Sequence, residues 1–157
     1  MFPTGRVSPN SLLIRAAFVL QLLLLVYMQV IEWIDLFPWN DIRRGNGQEI
    51  LDIALGGVMI AALAATYWRW RPGVWLAALV YAVWLGLQIM TFWMPYALGA
   101  STRWAKIHEA NFAHTIQWLP SHGNHLPPDA SHFVLQLLLL ITLVVTGMAA
   151  CRVGRQR

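Results

Sequence analysis

Four apolar runs, each close to the ~20 residues that a bilayer's hydrocarbon core demands of a helix, govern what this chain can become. They lie at about Leu12–Ile34, Ile50–Trp68, Val74–Trp93 and Phe133–Cys151 in a sequence of 157 residues. Hydrophobic residues make up 58% of it and charged residues only 11%, where a soluble domain is about 25% charged. A water-soluble core of this length has no room for so much apolar surface, so the membrane is the natural solvent. The first run is too long for the apolar part of a cleavable signal, and no A-x-A site follows it. The expectation is an all-α membrane protein: one integral domain over residues 1–157, built as a four-transmembrane-helix bundle.

Charge sets the expected orientation. Arg6 precedes the first run and Arg15 lies in its first turn, Arg69 and Arg71 sit between the second and third, and Arg152, Arg155 and Arg157 end the chain. Arg43, Arg44, Arg103 and Lys106 lie on the opposite side, together with every acidic residue and every histidine. The positive-inside rule then places both termini in the cytoplasm, in a cytoplasmic-type cell membrane. In a soluble protein a net charge of +4 would suggest nucleic acid. Here the basic residues flank apolar runs, so they read as topology signals and no nucleic-acid partner is expected. A single cysteine, Cys151, excludes an intramolecular disulfide and a CxxC redox pair.

The spacing of small residues predicts how the helices meet. Gly57, Ala61 and Ala65 in the second span, and Ala78, Ala82 and Gly86 in the third, recur every four residues. Such faces let helices approach closely where lipid offers no hydrophobic drive, so a tight hairpin turning at Pro72-Gly73 should press them together. FVLQLLLL occurs at 18–25 and again at 133–140, in spans of opposite direction, and reads as low-complexity coincidence. Asn46 and Glu49 have capping-box spacing at the start of span two. Trp33, Trp39, Trp93, Trp104 and Trp118 suit the outer interface, and Trp68, Trp70 and Trp75 the inner one. The outer segment, residues 94–132, is too long for a bare connector. Its stretch Ser101–Leu119 reads as an interfacial helix ended by Pro120.

Polar residues recur at one depth of the outer leaflet. Gln29 and Glu32 end the first span, Asp52 lies one turn into the second, and Gln88 lies just below the outer end of the third. Asp129, His132 and Gln136, spaced by three and four, share a helical face at the start of the fourth. Ionisable groups in a membrane are costly and usually face the bundle interior or a wet cavity. The expected arrangement is an outward-facing polar pocket floored by Gln29, Gln88 and Gln136 and walled by Glu32, Asp52, Asp129 and His132. A plainer reading has the glutamines bridging helices and the acids in headgroup water near helix N-termini.

The pocket suits binding or assisted transport of a small polar or cationic ligand. Two alternatives stand beside it. One is a membrane enzyme using carboxylate and histidine acid–base chemistry on a lipid-like or quinone-like substrate. The other is an accessory subunit of a larger membrane complex. Four short spans enclose little volume, so a permeation path would call for a homo-oligomer. No organic cofactor is called for, since no histidine lies deep enough in a span to hold haem. His122, His125, Asp129 and His132 form a loose set of nitrogen and oxygen ligands for a divalent metal such as zinc. Asp41, Arg43 and Arg44 could grip an anionic headgroup. FPWND, WMPYALGAS and LPPDASHF are dense enough to look like motifs, and point to no family of known activity.

Overall fold

A computed structural model describes residues 9–42 and 49–153. Its elements are α1 (Pro9–Trp33), α2 (Glu49–Tyr67), α3 (Arg71–Gln88), a π-helical turn (Ile89–Trp93), α4 (Met94–Leu98), α5 (Thr102–Asn111) and α6 (Ala130–Arg152). Four helical stretches are long and apolar enough to cross a membrane: Ser11–Trp33, Ile50–Tyr67, Arg71–Leu98 and Ala130–Arg152. The chain thus has the helical build of a multi-pass membrane protein. Its third span outruns the expected one because the π turn and α4 continue α3. Pro95 explains the interruption: it has no N–H for the carbonyl of Thr91, and its ring crowds that carbonyl.

The long helices alternate in direction and close a ring, with α1 and α3 each packed against both α2 and α6. Leu24, Met28, Ile31, Met59, Ala62, Ala77, Tyr81, Leu135 and Leu139 fill its centre. This packing overturns the expected hairpin contact. Gly57, Ala61, Ala82 and Gly86 are exposed, and a Cβ built at Gly57 or Gly86 meets nothing within 4 Å. Only Ala65 and Ala78 of the two small-residue faces are buried. The reason is geometric. A pair of helices gains most from small residues, but the middle of a four-helix ring is a space to be filled. Met59 and Tyr81, both fully buried, fill it and turn the small residues outward.

The turn between α2 and α3 also lies earlier than expected. Trp70 N donates to Ala65 O at 2.9 Å and Arg69 N to Thr66 O at 3.2 Å, a Schellman closure. The left-handed position in it, where glycine is usual, is Arg69 with φ 53°; that conformation costs an L-residue about 1 kcal/mol. Pro72 falls in the first turn of α3, where its missing N–H does no harm. Gly73 serves close approach, since a Cβ there would lie 2.7 Å from Ala65 Cβ and against the Trp70 ring.

At the other end, loops and short helices form a cap. Asn40 ties off α1: its Nδ2 donates to Ile31 O at 2.6 Å and to Ile34 O at 2.9 Å, and its Oδ1 accepts Leu36 N at 3.1 Å. The carbonyls belong to the stretch where a helix C-terminus leaves such groups unpaired. Ile116 stitches the cap together, giving its N–H to Pro38 O at 2.9 Å and accepting Ala130 N at 2.7 Å. Ser101 caps α5 by accepting Trp104 N. That helix stops at Asn111 instead of running to Leu119. The Asn111 amide turns back to Ile107 O at 2.9 Å, and the Thr115 hydroxyl takes Phe112 O at 2.8 Å; such local bonds compete with the helix ladder. Asn46, the Glu49 side chain, Arg6, Arg43, Arg44, Arg155 and Arg157 lie outside the described residues.

Candidate functional site

The site is built from the start of α6 upward. Pro127 and Pro128 keep the chain extended up to Asp129, which takes the N-cap position at φ −71° and ψ 165°. Its carboxylate makes no cap hydrogen bond. Instead, the Ser131 hydroxyl donates to Oδ2 at 2.6 Å, and the His132 ring, three residues on and on the same face, meets Oδ1 through Nδ1 at 2.6 Å. Asp129 is 1% exposed and the His132 side chain 19%. Burial alone would raise the Asp129 carboxyl, but the charge on His132 and the hydrogen bonds from His132 and Ser131 outweigh it and hold the group below its usual range.

Aromatic rings wall this pair. Phe92, in the π turn, lies 4.5 Å from the His132 ring centre at a shallow tilt, and Phe112 stands nearly perpendicular at 5.2 Å. Buried His108 holds Pro127 O through Nε2 at 3.0 Å. From α1, the Tyr27 hydroxyl donates to Ser131 O at 2.8 Å, and Trp39 hydrogen-bonds that same hydroxyl. The imidazole is therefore fixed on one nitrogen by a carboxylate and on its faces by rings, an arrangement suited to holding or passing a proton.

The seven expected pocket residues separate into two groups and a remainder. Glu32 interacts electrostatically with both Asp52 and His132, which brings α1, α2 and the Asp129–His132 pair together. Gln88 and Gln136 form a second group: Gln136 Nε2 donates to Gln88 Oε1 at 3.3 Å, while Gln136 Oε1 accepts Trp93 Nε1 at 2.6 Å. Gln29 stands apart, its amide lying over α2, so that a Cβ at Gly56 would come within 3.1 Å of its Nε2.

Beside the second group is a cavity of about 430 Å³ between α3 with its π turn and α6, lined by Leu85, Ile89, Trp93, Phe133, Gln136, Leu137 and Leu140. Its walls are apolar apart from the glutamine. Of the expected pocket residues only Gln136 lines this apolar groove; the other six lie outside its lining.

The four suggested metal ligands are not gathered either. His122 and His125 pair through their backbones, and the His125 ring turns to Tyr96 O at 2.9 Å. Asp129 and His132 are engaged with each other under the rings of Phe92 and Phe112. Among the described residues no three of His, Cys, Asp or Glu form a group able to hold a metal ion.

Several contributors were not read from the sequence. Ser131 stands between Asp129 and His132 in LPPDASHF, and its hydroxyl was the available signal. Phe92 and Phe112 carry no such signal, because only the fold brings them to His132. Comparison with known proteins finds no matching family model, no matching characterised protein and no matching solved structure.

Proposed function

We propose that this chain is a multi-pass protein of a cytoplasmic-type membrane, with both termini inside, and that its outward cap binds a small polar or cationic ligand. One observation carries the reading: Glu32 interacts with both Asp52 and His132, so this α1 carboxylate links Asp52 of α2 to the Asp129–His132 pair at the start of α6. Three carboxylates against one imidazole leave the site electronegative, which attracts a cation and repels an anion. With no trio of metal ligands assembled among the described residues, an organic ammonium group suits the site better than a coordinated metal ion.

The test is ligand-dependent thermal stability of the full chain in neutral detergent, with tetramethylammonium, choline and zinc as probes. A probe at a hundred times its Kd should add about 2.7 kcal/mol to stability. Glu32→Gln and Asp52→Asn should each weaken that gain for the ammonium probes. Indifference of the parent protein to every probe, or gains untouched by both substitutions, would sink the reading.

The cavity favours a second reading. An amphiphile with its tail along Leu85, Ile89, Leu137 and Leu140 would bring its head to Gln136, one turn of α6 from His132. There the Asp129–His132 pair could exchange a proton with a lipid-like or quinone-like molecule. A short-chain quinone that stabilises the protein, with the gain lost in Gln136→Leu and kept in Asp52→Asn, would favour this reading over the first.

A further inference from the structure

The bundle end opposite the cap carries cations and aromatic rings, and every acidic side chain among the described residues lies toward the other end. Arg69 and Arg71 are exposed on the α2–α3 turn. Around them Tyr67, Trp68, Trp70 and Trp75 are 69%, 73%, 59% and 46% exposed. Arg15, also exposed, extends the patch: Phe18, three residues on, meets the Tyr67 ring at 6.1 Å.

From this charge pattern we infer that the turn is a binding surface for the anionic phospholipid headgroups of the leaflet it faces. Arg69 and Arg71 meet the phosphates, and the tryptophans seat the turn at the interface. Charge complementarity selects the occupant, because the patch carries cations with no acidic side chain beside them among the described residues. Tryptophan and tyrosine suit the headgroup level, with an apolar body and a polar tip, and juxtamembrane arginines attract anionic lipid. Arg69 adds a second argument. It occupies the left-handed position at φ 53°, where glycine would be at ease, so the turn carries strain to display a charge there.

The test is lipid competition. The full chain, delipidated in neutral detergent, is offered equal amounts of phosphatidylglycerol and phosphatidylcholine with matched acyl chains. Retained lipid is read by native mass spectrometry. The parent should retain phosphatidylglycerol in excess, by about fivefold for each arginine engaged, and the excess should shrink as salt rises. R69Q/R71Q should remove most of it. R103Q/K106Q, which changes exposed charges of the cap, should leave it intact. R69G guards against misfolding: it relieves the turn, so its Tm in neutral detergent should equal or exceed the parent's while its phosphatidylglycerol excess drops severalfold. Equal retention of both lipids by the parent overturns the inference. So does an excess that survives in both R69G and R69Q/R71Q, or one lost equally in R103Q/K106Q.

Discussion

The same eight residues, FVLQLLLL, occupy two places in this bundle and do two different things. In α1, Gln21 is fully buried. It donates to Thr146 Oγ1 at 3.0 Å and accepts Thr66 Oγ1 at 3.1 Å, joining three helices. In α6, Gln136 bonds Trp93 and Gln88, faces the groove and lies one turn from His132. Even the leading phenylalanines diverge: Phe18 meets Tyr67 near the turn end, whereas Phe133 meets Trp93 and Trp118 in the cap. Local sequence is identical, so depth and neighbours decide. A polar group with every partner supplied by other helices is glue. One beside a cavity and a charged pair is the place to look for chemistry. This contrast can be broken or sharpened by substitution.

The largest effect should come from the cap. Asp129→Ala leaves His132 and Ser131 without the carboxylate that both bond at 2.6 Å. Breaking a buried charge pair by removing one partner costs about 3 kcal/mol, to be measured by denaturant unfolding in detergent. Asp129→Asn should cost less, since the amide keeps the volume and one acceptor. Acid dependence follows from the same contacts. The Asp129 carboxyl is held below its usual range in the folded protein, so its stabilisation is complete above about pH 4, the ordinary unfolded value. It drains away as pH falls through the lowered folded-state value. Asp129→Asn should flatten that acid limb, and a parent with stability unchanged between pH 5 and pH 2 would contradict the pairing.

Next in size is the ring centre. Ala62 is 6% exposed among the core residues, and Ala62→Leu should cost about 2 kcal/mol through overpacking. Tm and expression level report it, and a neutral result would mean that the centre is looser than Met59 and Tyr81 make it.

The sequence legibly specified the spans, because length and hydropathy are one-dimensional properties, and it placed Asp129 and His132 on one face because three-residue spacing on a helix is local. What failed was rotation. Ala61 and Ala62 differ by about 100° around α2, and nothing in the local pattern of Gly57, Ala61 and Ala65 says whether one neighbour or three will surround the helix. The Gln21 clasp was missed for a related reason, since Thr66 and Thr146 are ordinary residues in apolar runs until the fold sets them beside a glutamine. The groove depends on the π turn at Ile89–Trp93, and only Pro95 hinted at that.

Between the two glutamines the expected order is clear. Gln21→Leu removes two buried side-chain bonds at nearly constant volume and should cost about 1 kcal/mol, within the usual range for polar contacts between membrane helices. Gln136→Leu should cost about half as much, because its place at the groove wall lets a leucine side chain settle among Leu85, Leu137 and Leu140. Unfolding of both variants in one detergent decides it. A larger loss for Gln136→Leu would make the outer copy the structural one and reverse the comparison.

The smallest effects should be at Ala61 and Ala82. Both are exposed on the outside of the ring, where lipid tails are the expected neighbours and a leucine meets no backbone. Ala61→Leu and Ala82→Leu should therefore stay within about 0.5 kcal/mol of the parent, as substitutions away from packed features do. Ala62→Leu, a single position away, is the internal standard for overpacking. The paired result tests rotation more stringently than either alone, because a one-residue error in the face of α2 would exchange the two outcomes. If Ala61→Leu proves costly in detergent while Ala62→Leu is tolerated, the small residues do press against a helix, and the ring with Met59 and Tyr81 at its centre is wrong. A cost at Ala61 that appears only as protein concentration rises would instead locate the neighbour in a second copy of the chain, leaving the ring as described.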